Sequence, residues 1–439
     1  MATKVTTDFF MGSSDRSNSI EIDSLVENLL KTRNALLSCP IDGIIEWLDA
    51  FARRLLNRAN PIHHQFPDSG IPYLASWCRR SNLELLLGTC FQDLRCLDDF
   101  VSLGRSDRMV RAFPRGLVVH WMAGNVPTLS FLSLLMGLLT KNVNLIKVAS
   151  GSPPFLAALL KHLSETPGQR CSGQQLIHSI AVIRYDHKDE EIGATLSRYA
   201  DVRIMWGSDE SIQSIRALPV KPQVNDVAFP HRTSFIILGE EFLDKVSLGP
   251  LTRRVARDIS IFEQSACASP HTILLLTKDK AKLADFAESL QDALEHILQD
   301  FPKASPTPQE TAAILNLRAR YDMFHEAWYS SGTEFTILAD DFWQLGPPIG
   351  NRTVYLRLFS DIDRLPEIMT PHVQTVGLAV SPKDFSRIIT ILGAAGVHRF
   401  ATPGTMTQFD SPWDGYFLPH HLVRWTSFPL SAIEPRSDS

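Results

Sequence analysis

The chain is poor in the residues and motifs that announce the commonest binding chemistries. Its 439 residues hold six cysteines, Cys39, Cys78, Cys90, Cys96, Cys171 and Cys267, with no CxxC pair and no His-Cys cluster. That scatter argues against a disulfide framework, gives no metal site, and points to a reducing, cytoplasmic setting. Lys and Arg number 43 against 48 Asp and Glu, a net charge of -5, so there is no basic footprint for nucleic acid. Neither GxGxxG nor GxxxxGK[ST] occurs, which removes the usual dinucleotide fingerprint and the P-loop. A nucleotide held by strand-end side chains is not thereby excluded. Internal repeats, low-complexity segments and heptads are missing as well. Residues 1–20 are polar, carry Asp8, Asp15 and Arg16, and lack the pattern of a signal or transit peptide. They are expected to form a loosely ordered tail. The uncharged run from Leu117 to Thr140 is long enough for a membrane span, but Gly124, Asn125 and Pro127 interrupt it. It reads as a strand at 117–121, a loop, and a buried helix at 129–139, with no membrane span.

At this length two domains are the default. Residues 21–100 read as a helical preface, with Ile41, Ile44, Ile45, Leu48, Phe51 and Leu55 on one apolar face. From Gly116 short apolar runs alternate with amphipathic stretches, ending on Ser234 to Leu238. This is the pattern of a doubly wound parallel sheet, the α/β class, and such sheets bind ligands beyond the carboxyl ends of their strands. Asn125, Lys147 and Gly207-Ser208 fall at those ends. The expected division is a preface and first sheet domain over 21–240, a second α/β domain over 241–400, and a tail over 401–439 rich in proline and aromatics.

Cys267 stands between Ala266 and Ala268, after a helical pattern (Leu251, Val255, Ile259) and before an apolar strand (Thr272 to Leu276). Small neighbours let a bulky acyl group approach, and a thiolate is the strongest nucleophile available near neutral pH. The plainer alternative is a small buried hydrophobe. Each strand-end residue also has a structural alternative. Asn125 can cap the following helix, Lys147 can extend its amine to solvent, and Gly207-Ser208 can be a turn with Ser208 as cap. Taken jointly, an amide, an ammonium, a Gly-Ser turn and a lone thiol are parts for acyl transfer to sulfur followed by reduction.

The ordered set Gly124-Asn-Val-Pro127, Leu145-Ile-Lys-Val148, Trp206-Gly-Ser-Asp209 and Gln264-Ser-Ala-Cys267 resembles the aldehyde dehydrogenase superfamily. It is more closely similar to the acyl-CoA reductase family of bacterial luminescence, the reductase subunit of the fatty acid reductase complex. The likeness runs from about Phe113 to Trp425 and takes in His372-Val-Gln-Thr-Val-Gly377 and Ser411-Pro-Trp-Asp-Gly-Tyr416. It implies an aldehyde dehydrogenase-like fold, with a cofactor domain preceded by helices and a second, catalytic α/β domain. It also implies that Cys267 is the acylated nucleophile, that Asn125 and the Cys267 N–H form an oxyanion hole, and that Lys147 holds the cofactor ribose. Gly207 and Ser208 would lie near the dinucleotide. Where many NAD-specific members carry a ribose-binding Glu, three residues after the Lys, this chain has Ser150; without that carboxylate a 2′-phosphate is not repelled and NADPH is favoured. The stretch that holds a general base in hydrolytic members reads Asp226-Val-Ala-Phe-Pro-His231, with Asp226 out of register. Lacking the base, the site would pass its acyl group to a thiol more readily than to water. His372 is a candidate for orienting or protonating a group at the site, and equally a structural histidine.

The function so implied is NADPH-dependent reduction of a fatty acyl thioester, from acyl-CoA or an acylated partner protein, to the fatty aldehyde. Acyltransferase and synthetase subunits would be partners, and assembly through C-terminal strands would make a homo-oligomer. The rivals are a hydrolytic aldehyde dehydrogenase with Asp226 or Glu263 as base, a non-catalytic acyl-holding subunit, and an acyl phosphate reductase.

Overall fold

The computed structural model describes residues 3–14, 19–67, 69–104, 107–186, 188–244 and 246–432. The chain divides into two compact units. The first comprises residues 1–230, 410–412 and 416–439; the second comprises 231–409 and 413–415.

The first unit contains β1 (Lys4–Phe10), β2 (Ser19–Glu21), β3 (Val101–Ser102), β4 (Arg108–Pro114), β5 (Leu117–Trp121), β6 (Val143–Lys147), β7 (Ile180–Arg184), β8 (Val202–Trp206) and β9 (Asn225–Phe229). Its main sheet has the order β2-β1-β7-β6-β5-β8-β9. The five strands from β7 to β9 are parallel, and β1 and β2 are added antiparallel. β5 is buried along its whole length, as a central parallel strand with both faces covered must be. The helix Leu129–Leu139 packs on β6 so closely that a Cβ on Gly137 would lie 1.8 Å from Asn144 Oδ1. Asn144 Oδ1 also meets Nε2 of the buried His120 at 3.1 Å, and Ser133 Oγ meets its Nδ1 at 2.8 Å. Burial pushes that imidazole down to about 4, so the polar trio inside the apolar layer carries no charge.

Between Ile22 and Cys90 the described residues form a run of helices, as their apolar periodicity predicts; Ile41–Leu56 buries Ile44, Ile45, Leu48, Phe51 and Leu55. Three expectations need correction. Residues 4–10 are not a loose tail: Val5, Thr7 and Phe9 face inward from a strand paired on both sides, and Asp8 pairs with Arg184 at 2.7 Å. Positions 1, 2 and 15–18 of that expected tail lie outside the described residues. The described stretch 402–432 is not a tail either, and positions 433–439 of that expected tail lie outside the described residues. Val423–Pro429 forms a last strand, β17, and pairs antiparallel with β4 in a three-stranded sheet of order β17-β4-β3. Asn142 and Asn225 fasten its approach by donating to the carbonyls of Leu422 and His421, both at 2.9 Å. Lastly, Cys39 and Cys171 form a disulfide, with Cα atoms 5.6 Å apart and 132 residues between them in sequence. Spacing along the chain carried no sign of it, because the fold alone makes the two neighbours.

The second unit contains β10 (Thr233–Gly239), β11 (Pro270–Leu276), β12 (Glu326–Tyr329), β13 (Thr336–Asp340), β14 (Thr353–Phe359), β15 (Val373–Ala379) and β16 (Arg399–Ala401). Their order is β12-β13-β14-β11-β10-β15-β16, parallel except for the edge strand β12. β10 was expected to close the first sheet, yet it is central in the second; an all-apolar strand does not reveal which sheet it joins. Its side chains alternate between two cores. Ile236 and Leu238 pack with helices Leu248–Ser260 and Lys280–Ile297, while Phe235 and Ile237 pack with Val376, Ile388 and Leu392.

Candidate active site

In the first unit, β6, β5 and β8 are adjacent and parallel, so the loops after them lie along one carboxyl edge. The structure brings Lys147, Ser150, Asn125, Gly207 and Ser208 to that edge. Lys147 ends β6 with its amine 5.3 Å from the Tyr185 ring centre. Burial lowers its proton affinity, and the nearby Arg184 charge lowers it further. Ser150 is exposed and donates to the Tyr185 carbonyl at 3.3 Å, while Arg184 donates to the carbonyls of Ala149 and Ser150 at 2.7 and 2.6 Å. Arg184 is thus the cation beside Ser150 and is itself paired with Asp8, while Asp186 lies near enough to Lys147 to act on it. A Cβ on Gly124 would lie 2.9 Å from Ser152 Oγ and 3.1 Å from Ala149 Cβ. The loops after β5 and β6 thus form a narrow cradle, which suits the backbone approach a dinucleotide requires. Asn125 is exposed in that loop, and the N-cap position of the next helix is Thr128. Ser208 caps the helix Asp209–Arg216 by accepting from Ser211 N at 3.3 Å, so its structural role is present.

In the second unit, the amino ends of β11, β10 and β15 carry the other group of residues. Cys267 is half-buried at the first central position of a tight turn closed by Ser269 N donating to Ala266 O at 2.9 Å. Ser234, on β10, fixes this turn: its hydroxyl donates to Cys267 O at 2.8 Å and accepts from Thr375 N at 3.2 Å. Gln374, on β15 and 1% exposed, hydrogen-bonds the thiol through its side-chain amide. The backbone of Cys267 and Ala268 acts on the thiol in the same direction. These donors favour the thiolate, but burial and then the negative charge of Asp414 outweigh them, and the thiol is pushed up to about 12. Although part of the residue reaches solvent, the sulfur itself is surrounded by protein, so burial governs its proton affinity. Asp414 is 4% exposed and is held by His398 Nδ1 at 3.0 Å and Arg232 Nε at 3.3 Å.

His372 precedes β15, is exposed, and has Nδ1 3.4 Å from the His231 carbonyl. Reading the sequence for its titratable residue passed over Gln374, two positions on. The available signal was one amide in an otherwise apolar strand. Asp414 lay in a quoted motif but received no role.

The stretch before the cysteine is held in an unusual conformation. Phe262, Glu263 and Gln264 have φ of 54°, 52° and 61°, left-handed values that cost a residue other than glycine roughly 1–3 kcal/mol each. Both carboxylates considered as hydrolytic bases are engaged. Glu263 takes Arg352 at 3.0 and 2.6 Å and Lys303 at 3.1 Å. In the first unit, Asp226 takes both arms of Arg203, itself 2% exposed, at 2.7 and 2.5 Å.

Residues 32–425 match the family model described as acyl-CoA reductase (LuxC). The chain belongs to that family. Among curated reductases, it is 28% identical over 359 residues to the long-chain acyl-protein thioester reductase of Aliivibrio fischeri, covering 80% of this chain and 71% of that one. It is 24% identical over 418 residues to the reductase of that description from Vibrio harveyi, covering 90% and 82%. The counterpart from Photorhabdus luminescens is 28% identical over 288 residues, 63% of this chain, and the match spans only 56% of that protein. Among solved structures, aldehyde dehydrogenase 21 from Physcomitrella patens superposes with a TM-score of 0.67 at 12% identity, covering 97% of this chain and 94% of that one. An NAD-dependent benzaldehyde dehydrogenase from Corynebacterium glutamicum gives 0.66 at 12%, covering 98% and 95%. The reductase family therefore has the aldehyde dehydrogenase fold in this member, and no described helix is long and apolar enough to cross a membrane.

Proposed function

We propose that this chain reduces a long-chain fatty acyl thioester to the fatty aldehyde through an acyl-enzyme on Cys267, with NADPH as the cofactor. The observation that carries the reading is the Cys267 turn, closed by Ser269 N on Ala266 O and fixed by Ser234 on Cys267 O, which presents a lone thiol inside a reductase-family chain. His372 takes the Cys267 proton as the sulfur attacks the thioester carbonyl, the donor leaves as its thiolate and is protonated by solvent, and the charge on the carbonyl oxygen is met by the Cys267 N–H and the Asn125 amide. A bound nicotinamide dinucleotide would supply the hydride that reduces the enzyme thioester. Release of the aldehyde returns the Cys267 thiolate, which takes its proton back from His372.

Lys147, Gly207 and Ser208 would hold the dinucleotide. Ser150, with Lys147 and Arg184 beside it and no carboxylate in its place, favours the 2′-phosphate of NADPH. The engagement of Asp226 and Glu263 in ion pairs speaks against the hydrolytic alternative. The names of the relatives point to an acyl-protein donor, so acyl-CoA and an acylated partner protein are the two donors to compare.

The test is NADPH oxidation by the full chain with acyl-CoAs from short to long and with an acylated protein thioester, trapping aldehyde as product. Asn125→Ala is expected to slow turnover about 100 to 1,000-fold. Cys267→Ala is expected to take no label from radioactive acyl-CoA, and labelling of that variant would remove Cys267 as the nucleophile. Absence of NADPH consumption with every donor would favour the acyl-holding alternative.

A further inference from the structure

The turn that presents Cys267 is reached through three consecutive left-handed residues, and none of them is glycine. L-residues avoid that region unless their surroundings impose it, so something in the second unit must hold Phe262, Glu263 and Gln264 there. Opposite them lies a second left-handed run, Gly350, Asn351 and Arg352, with φ of 74°, 53° and 58°. The two runs are joined by backbone and side chain together. Asn351 N donates to Glu263 O at 3.1 Å, and the Glu263 carboxylate receives Nε and Nη2 of Arg352, a residue 1% exposed. Lys303 joins both runs, reaching Glu263 at 3.1 Å and Asn351 Oδ1 at 2.7 Å. Gln264 completes the arrangement. Its amide donates to Pro270 O at 2.8 Å and Thr353 O at 3.1 Å, and its carbonyl accepts from Thr353 N at 2.8 Å, where β11 and β14 begin.

Each of these contacts holds a backbone shape three to five residues ahead of the reactive sulfur, and none touches the sulfur. We propose that Glu263, clamped by Arg352 and Lys303, is a positioning residue that holds the left-handed segment and thereby sets the attack geometry of Cys267. The inference rests on Cys267 being the acylated nucleophile. It gives Glu263 a role different from that of a base: a carboxylate fixed by three cationic donor contacts orients a loop and accepts no proton from water.

The proposal separates conformation from charge. Asn and Gln both remove the carboxylate, but Asn enters the left-handed region readily and Gln does not. In single-turnover acylation of the full chain by a radiolabelled long-chain acyl-CoA, Glu263→Gln is expected to lower the rate constant at saturation at least about tenfold. The half-saturating acyl-CoA concentration should change little. Glu263→Asn is expected to keep at least about three times the rate constant of Glu263→Gln. A merely structural defect would reduce the amplitude, which counts folded sites, and leave the rate constant intact. Equal slowing of both variants, slowing of Asn alone, or wild-type rates in both would each overturn the proposal. Should Glu263→Gln fail to fold, Lys303→Met serves, with a loss of about threefold expected in the same rate constant; an unchanged rate overturns the proposal. Cys267→Ala is run alongside: if it still takes label, the nucleophile assignment fails, whereas a dead Cys267→Ala with unaffected Glu263 variants rejects only the clamp.

Discussion

Cys267, the proposed nucleophile, is kept protonated by its surroundings, and two groups that act on it pull in opposite directions. The Asp414 charge raises its proton affinity, and the Gln374 amide lowers it. Asp414→Asn should therefore move the pH midpoint of thiol alkylation downward, and Gln374→Ala should move it upward. Moving that midpoint by about one pH unit changes the thiolate fraction below it about tenfold. Iodoacetamide labelling of Cys267 across pH reads both, and a common direction for the two variants would refute this account of the site. Cys267 itself was legible from its small neighbours and the strand that follows, and Lys147 and Asn125 from their positions at strand ends. Gln374, Asp414 and Ser234 were not, because their roles come from strands and loops far apart in sequence that meet only in the fold. Ser208 makes the cap to Ser211 N that local spacing had allowed.

At the level of elements, runs with both faces buried were the most readable, and β5, β8 and the helix Leu129–Leu139 have the bounds their apolar stretches suggest. Two strands at the ends of the chain were missed. β1, second from the edge of its sheet, and β17, at the edge of its own, mix polar and apolar residues because one face meets solvent, and that weakens any period. The helix Leu248–Ser260 shows another property hidden in sequence. Near its end, Asp258 accepts from the backbone N–H groups of Gly404 and Met406 at 2.5 and 3.2 Å. Burial nevertheless raises its carboxyl from the ordinary 3.8 to about 7. Between those values the folded chain keeps a proton that the unfolded chain has released. The stabilising effect of this group is thus full below about pH 4 and is lost as pH rises through about 7. Melting temperatures at about pH 6 and pH 8 should differ more in wild type than in Asp258→Asn. An equal difference in the two proteins would show that Asp258 does not titrate in this range.

For the molecule as a whole, the chain enters the second unit after Pro230 and returns to the first at Asp410. The division near 240 expected from the sequence was off by one strand, since β10 belongs to the later sheet. The return matters energetically because Leu422 and Val423 are 0% and 1% exposed, and β17 covers β4 over its full length. Burying two such side chains stabilises by roughly 3–6 kcal/mol. Deleting residues 416–439 should lower the urea midpoint of the first unit accordingly, with the second unit's transition unchanged; an unaltered first transition would mean β17 contributes nothing to that unit.

This connectivity also fixes an order of maturation during synthesis. A ribosome delivers every residue of the cysteine-bearing unit before it releases β17, so the nascent first unit waits with the flank of β4 bare while its neighbour is already complete. The part numbered first is the part finished last, because β17, which pairs with β4, is the last strand to be made.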